Sequence, residues 1–393
     1  MATPERVLLS AFIGSDNLGD EAIFLALVDQ LETRLKKSSL TVISMNREKT
    51  RRLLLGYKSE WHAGVGVRSR RFLPLAILRH DVCIFGGGGI IQDQSSILNV
   101  IYFLAQIQFA KLSGKIVALA FVGIGPLNSR VGRACARVAL SKIALCVVRD
   151  QDSKRALDRL GVIGTDIICS SDIVLSLKCQ SSSGKSDAVD GKYVLLSLRH
   201  WYGQSSGVTP AALKNRKIKS GTRLDILLTR LAQELVRFLE GNKDFHVVAV
   251  PCFGQRDALV HTALRNKLNQ RYQERFRLHG SVSDPCHYLR LAASARCVIG
   301  MRLHSLILAS LRAVPIVALS YSPKVSAFME QLGLGDQVID IASEPELEGF
   351  ASRLETALGD SGHMSSTIER RTRELKKANE AALAELAKVI EGE

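Results

Sequence analysis

Apolar positions along this chain fall into two alternating textures. Short, nearly unbroken apolar runs at Val7–Ile13, Leu40–Met45, Asp81–Phe85, Lys115–Gly123 and Leu145–Arg149 read as strands buried on both faces. Between them, Glu21–Leu35 and stretches near 96–112 and 129–142 repeat their apolar residues at helical spacing. Strand runs separated by amphipathic helices predict a mostly parallel sheet with helices on both sides. The pattern stops at 178–191, a Ser/Gly/Asp-rich stretch that reads as a linker, and then starts again. Strands are predicted at Tyr193–Leu198, His246–Pro251, Phe276–Leu278, Cys297–Ile299 and Ile316–Leu319, with helices near 221–240, 256–270 and 284–294. From about Glu344 to Ile390 the chain reads as helix. The expected fold class is therefore α/β. It comprises two doubly wound, Rossmann-like domains (1–177 and 192–343), the linker 178–191, and a C-terminal helical tail (344–393).

Size agrees with this division, since 393 residues exceed what one hydrophobic core normally supports. The first residues lack a signal-peptide apolar segment, and no apolar run approaches the roughly 20 residues of a membrane-spanning helix, so the expected location is cytoplasmic. Eight cysteines are scattered without Cys-x-x-Cys spacing, and several sit inside apolar runs. They read as small buried hydrophobes rather than as metal ligands or disulfides.

A formal net charge of +15 favours anionic partners. The basic residues cluster at Arg51-Arg52, Arg68–Arg71 and Arg370–Lys377. Nucleic acid is not expected, because no binding module is recognisable and only 6% of residues are aromatic, too few for stacking platforms. Peripheral contact with an anionic membrane at its inner face is compatible with the charge. A homo-oligomer is left open.

Two domains of this kind place a ligand cleft at the carboxyl ends of their strands, which makes each strand-to-helix turn a candidate site. Gly300-Met301-Arg302-Leu303-His304-Ser305 joins a strand to a helix. A helix N-terminus attracts anions, Arg302 adds a planar fork for phosphate or carboxylate, and His304 adds a group able to give or take a proton. Gly14–Glu21 offers two glycines with Asn17 and Asp20, although a turn capped by Asn17 or Asp20 would explain the same residues. Gly86–Gly89, followed by Gln92 and Asp93, has more glycine than a bare turn needs and suggests close backbone contact with a ligand or with the other domain. Arg149 closes another strand, either to hold an anion or to pair with a local aspartate. Arg199 ends the first strand of the second half, and Lys324 follows Pro323 at a helix start.

Taken in order, Gly14–Ala22, Gly86–Asp93, Arg149-Asp150, Ser197-Leu198-Arg199, Met301–Ser305 and Ser320–Val325 resemble the polysaccharide pyruvyl transferase family. The likeness is nearest to its bacterial cell-wall branch and spans about residues 6–340. The resemblance implies a GT-B-like pair of domains; no cofactor is expected beyond the donor substrate, and no carboxylate cluster in the sequence argues for a required metal. The resemblance also implies transfer of a pyruvyl group from phosphoenolpyruvate to a sugar acceptor, lipid-linked or free, as a cyclic ketal. Carried onto this chain, it assigns catalysis to His304, Arg149 and Lys324. Donor binding falls to Arg302 and Arg199, with Leu303 at the helix start. The first-domain residues Gly14, Asn17, Asp20, Gly87, Gly88, Gln92 and Asp93 would face the acceptor. One departure stands out: Ser322 occupies a position where the family motif usually has an acid. Two other readings share the anion clamp, namely a GT-B glycosyltransferase using a nucleotide sugar and a non-enzymatic anion-binding protein at a membrane surface.

Overall fold

The computed structural model describes residues 6–35, 39–55, 62–64, 73–93, 97–179, 190–201 and 218–392. Its first sheet contains β1 (Arg6–Ser10), β2 (Ser39–Ile43), β3 (His62–Gly64), β4 (Val82–Ile91), β5 (Ile116–Ile124), β6 (Leu145–Val148) and β7 (Asp166–Cys169). They lie in the order 3-2-1-4-5-6-7 and all pair in parallel. The second sheet contains β8 (Lys192–Ser197), β9 (Phe245–Ala249), β10 (Phe276–Leu278), β11 (Cys297–Gly300), β12 (Ile316–Ser320) and β13 (Val338–Asp340), in the order 10-9-8-11-12-13, again parallel. In each sheet the order reverses at the first strand, the position where such sheets open a crevice at their carboxyl edge.

Helices α1 (Leu18–Arg34), α2 (Arg47–Leu53), α3 (Leu73–Arg79), α4 (Ile97–Leu112), α5 (Arg130–Leu140) and α6 (Gln151–Leu160) belong to the first domain. The second carries α7 (Arg223–Gly241), α8 (Gly254–Arg265), α9 (Gln270–Gln273), α10 (Pro285–Ser294), α11 (Leu303–Ser310) and α12 (Pro323–Gln331), followed by α13 (Phe350–Gly359) and α14 (Ser361–Glu391). Local chemistry sets several of the starts. The side chains of Asn17, Asp150 and Thr222 accept backbone N–H bonds from Gly19, Ser153 and Asp225, each satisfying an otherwise orphaned first-turn donor.

Helix α1 is the keystone. Ala22 to Val28 are apolar on every side and fully buried, as expected of a helix covered all round. It packs on β4 and also touches α10, α11 and α14, so one apolar core runs through it from the first domain into the second. The long α14 returns to the first domain. Its Asn379 is fully buried: Oδ1 accepts from the Ser170 and Ser171 hydroxyls (both 2.8 Å), and Nδ2 donates to the Asp172 carbonyl oxygen (3.0 Å).

Three expectations need correction. The Gly86–Gly89 segment is no turn: β4 continues through it to Ile91, with Gly87 and Gly88 at positive φ and a register shift between Gly88 and Ile91. The cysteines are not all thiols, because Cys179 and Cys286 form a disulfide joining the end of the first domain to the first turn of α10. The basic run at 370–377 is partly paired within α14, where Arg370 and Arg371 share Glu374 and Arg373 pairs with Glu369. The linker 178–191 and the Arg68–Arg71 cluster lie mostly or wholly outside the described residues. Among the described residues no helix is long and apolar enough to cross a membrane.

Candidate functional site

Strands β8, β11 and β12 are neighbours in the second sheet, and each delivers a basic residue just past its carboxyl end: Arg199, Arg302 and Lys324. Arg149 meets them from the end of β6 in the first sheet. All four line one cavity between the domains, together with Asn17, Gly19, Leu303, His304 and Tyr321. The walls are held together by the Leu18 N–H, which donates to the Cys252 carbonyl oxygen (2.9 Å), and by an antiparallel bridge between Asn17 and Phe253.

The four cations are not equivalent. Arg302 donates from Nε and Nη2 to the two oxygens of Asp257 (2.6 and 2.7 Å), a bidentate pair with a fully buried carboxylate. Arg149 donates from Nη1 to Asp172 (3.0 Å), and its Nε lies 3.6 Å from Asp150. By contrast, neither Arg199 nor Lys324 has an ion pair with a carboxylate among the described residues. Arg199 donates to the Tyr321 hydroxyl, packs its guanidinium 4.6 Å from that ring's centre, and keeps a buried Nε with no hydrogen-bond partner among the described residues. Lys324 Nζ reaches only the Gly125 carbonyl oxygen, at 3.4 Å. Burial, and then the charge of Arg149, push the Lys324 ammonium down to about 8. Two partly desolvated cations without an ion-paired carboxylate among the described residues are an arrangement that can hold an anion.

His304 lies in the first turn of α11, with Nε2 3.5 Å from Oδ2 of Asp172. That is long for a hydrogen bond but within strong Coulombic reach. Burial alone would raise the Asp172 carboxyl, but His304 and then Arg149 outweigh it and bring it down to about 2. The ring rests on Gly19 at the start of α1: a Cβ there would stand only 2.2 Å from Nδ1. Asp20, raised by burial and partly offset by His304, receives bonds from Asn17 Nδ2 (2.8 Å) and Ser15 Oγ (3.2 Å).

The other first-domain candidates are occupied locally. The Gly14 N–H bonds Glu21 (3.3 Å), as does that of Ser15 (2.9 Å), and burial lifts the Glu21 carboxyl to about 7. A Cβ on Gly14 would meet Asn46 and Ser44. One on Gly87 would lie 1.8 Å from Ile23 Cγ2, so this glycine lets α1 seat on β4, and Gly88 faces the same helix. Asp93 spends both oxygens on the Asn128 and Ser129 N–H groups (2.8 Å each), which shapes the turn before α5. Gln92 is nearer the cavity: its Cγ and Lys324 Nζ both lie within 4 Å of where a Gly89 Cβ would be.

Sequence reasoning missed Asp172, Asp257 and Asn379. Asp172 and Asp257 look like ordinary first-turn acids in the sequence, and each does bond a backbone N–H. Asn379 did leave a signal, a short polar residue in the buried stripe of α14 between Ile368 and Leu383.

Comparison with known proteins places this geometry. The Amylovoran biosynthesis protein AmsJ of Erwinia amylovora is 22% identical over 333 residues, 81% of this chain and 76% of that protein. Among solved structures, the UDP-GlcNAc 2-epimerase of Neisseria meningitidis superposes with a TM-score of 0.64 at 11% identity, covering 98% of this chain and 100% of that one. The ADP-heptose LPS heptosyltransferase II of E. coli does so with a TM-score of 0.51 at 14% identity, covering 91% and 99%. These likenesses establish a GT-B-like fold. The family model of the polysaccharide pyruvyl transferases matches residues 17–323, from the cap of α1 to the first residue of α12, and the chain belongs to that family.

Proposed function

We propose that the protein transfers the pyruvyl group of phosphoenolpyruvate to a sugar of a cell-wall or exopolysaccharide precursor as a cyclic ketal. The observation that carries this reading is the pairing of two uncompensated cations, Arg199 and Lys324, with a histidine in one cavity. Phosphoenolpyruvate brings a phosphate and a carboxylate, and both need counter-charge in a site partly removed from water.

In the proposed reaction C3 of the enol takes a proton, which leaves C2 electron-poor. One sugar hydroxyl attacks C2 and gives up its proton. The C2–O bond to phosphate breaks, the phosphate leaves with its electron pair, and a second hydroxyl closes the ketal with loss of its own proton. His304 carries one of these protons, a role worth about 10²–10⁴-fold in rate. Asp172, ionised beside it, stabilises the imidazolium whenever His304 holds the proton. Arg199 and Lys324 hold the donor and stabilise the charge that grows on the departing phosphate. Arg302 and Arg149, already paired, add positive potential and shape.

The test is incubation with a sugar acceptor and either phosphoenolpyruvate or a nucleotide sugar. Phosphate release and a pyruvylated acceptor, seen by mass spectrometry only with the former, are expected. Nucleotide release with the sugar nucleotide would replace this reading with glycosyl transfer.

A further inference from the structure

Helix α4 is odd for a surface element. In Ile97–Leu112 the only charged residue is Lys111, whose Nζ is turned onto the carbonyl oxygens of Val138 (2.7 Å) and Ser141 (2.9 Å) near the end of α5. Leu98, Ile101, Ala105, Phe109 and Leu112 are all exposed, Leu98 by 52% and Leu112 by 76%. At 100° per residue these five positions fall within one sector about 80° wide, so the whole outward stripe of the helix is apolar. A helix that is apolar all round is normally covered. Among the described residues this one is covered only on its inner side.

The neighbouring helices extend the patch. Helix α3 exposes Leu75 and Leu78 beside Arg79, and α5 exposes Val131 and Val138 between Arg130, Arg133 and Arg137. Helices α3, α4 and α5 contain no Asp or Glu at all. The face is therefore apolar in the middle, basic at its flank and free of acid.

We infer that this α3–α4–α5 face docks the protein on an anionic lipid bilayer. Apolar side chains would enter the headgroup boundary while the arginines of α5 meet lipid phosphates. Charge complementarity selects this occupant: a second copy placed symmetrically on the same face would offer these arginines no acid from its own α3, α4 or α5. Helix α4 also starts just after Asp93, at the carboxyl end of β4, so the Leu98 end of the stripe adjoins the edge where the cleft opens. The docking itself does not depend on the reaction proposed above, and its readout is independent of turnover.

The test is co-sedimentation of the full chain with phosphatidylcholine vesicles, with or without phosphatidylglycerol. Three surface arginines predict partitioning on the order of a hundredfold stronger onto the anionic vesicles, lost at high salt. The Leu98→Glu/Leu112→Glu double variant should reduce binding at least about tenfold. Its unfolding transition should stay unchanged, because both side chains are exposed. Arg130→Gln/Arg137→Gln should remove the preference for anionic lipid while leaving the fold intact. Equal binding to both vesicle types, or undiminished binding by the leucine variant, would overturn the inference. So would a dimer in light scattering that the leucine variant dissociates while vesicles are ignored.

Discussion

The two sides of the cleft do different work. On the second-domain side three adjacent strands, β8, β11 and β12, end in residues that face the cavity, and the two cations left without a carboxylate partner, Arg199 and Lys324, are both there. On the first-domain side the strand ends carry glycines and acids. The glycines accommodate α1 and the residues around it, and the acids bond backbone, pair with Arg149 on the same side or, as Asp172 does, also lie beside His304 of the other domain. The cations without a carboxylate partner thus come from one domain, while close glycine packing comes from the other, and each paired arginine takes its carboxylate from its own side. The teaching is that a glycine-rich strand end and a basic strand end, similar as motifs, report different forces.

The sharpest way to break this contrast is to strip a paired cation. Arg302→Met should leave Asp257 buried and uncompensated and cost on the order of 3–5 kcal/mol of stability, read by denaturant unfolding. A variant as stable as the parent would show that the pair is not structural. His304→Ala should leave the fold intact and lower turnover about 10²–10⁴-fold. Near-normal kcat would remove the histidine from the chemistry.

On the opposite wall, Gly87→Ala forces a Cβ against Ile23 at a positive φ and should cost on the order of 1–3 kcal/mol, seen as a lower Tm. If it instead raised KM for acceptor at unchanged Tm, the glycine would be a binding element after all. Lys324→Met should act in the reverse sense, raising KM for the anionic donor about 10–100-fold with little effect on stability. An equal loss for a neutral ligand would contradict the assignment.

The smallest effect concerns pH. Since the free Lys324 sits at about 8, it is charged below that pH and loses its proton above it. Affinity for the donor should therefore fall as pH rises through about 8. Binding near that pH should draw a proton from solution, measurable by calorimetry in buffers of different ionisation enthalpy and absent in Lys324→Met. Folding has the opposite slope: the ammonium is harder to charge in the native state than in the unfolded chain, so stability rises with pH between about 8 and 10.5.

Much of this architecture was legible from periodicity, because buried parallel strands and their covering helices differ so plainly in pattern. The predicted strands Tyr193–Leu198 and Cys297–Ile299 differ from the observed ones by a residue or so at their ends. The elements passed over were short ones, such as β7, β13 and α2, where few residues leave little periodicity to read. Arg302, His304 and Lys324 were legible because they sit at strand ends near glycine or proline, and Arg149 and Arg199 because each closes an apolar run. Their acidic counterparts were not, since Asp257 meets Arg302 across 45 residues and Asp172 meets His304 across 132. Pairing at that distance is a property of the folded sheet order, and local spacing carries no trace of it. The packing role of the glycine run was hidden for a related reason: Gly87 is small because of Ile23, a residue 64 positions away.

One feature of the cavity bears on fidelity. His304 belongs to the second domain, whereas both the carboxylate beside it and the glycine under its ring belong to the first. Any motion that parts the domains must therefore take the proposed proton carrier away from the Asp172 carboxylate and its seat in the same stroke. On the proposed reaction, an enol phosphate meeting the open cleft would find cations to bind it and no assembled pair to activate it. Water, the commonest competing nucleophile, would gain nothing from that encounter.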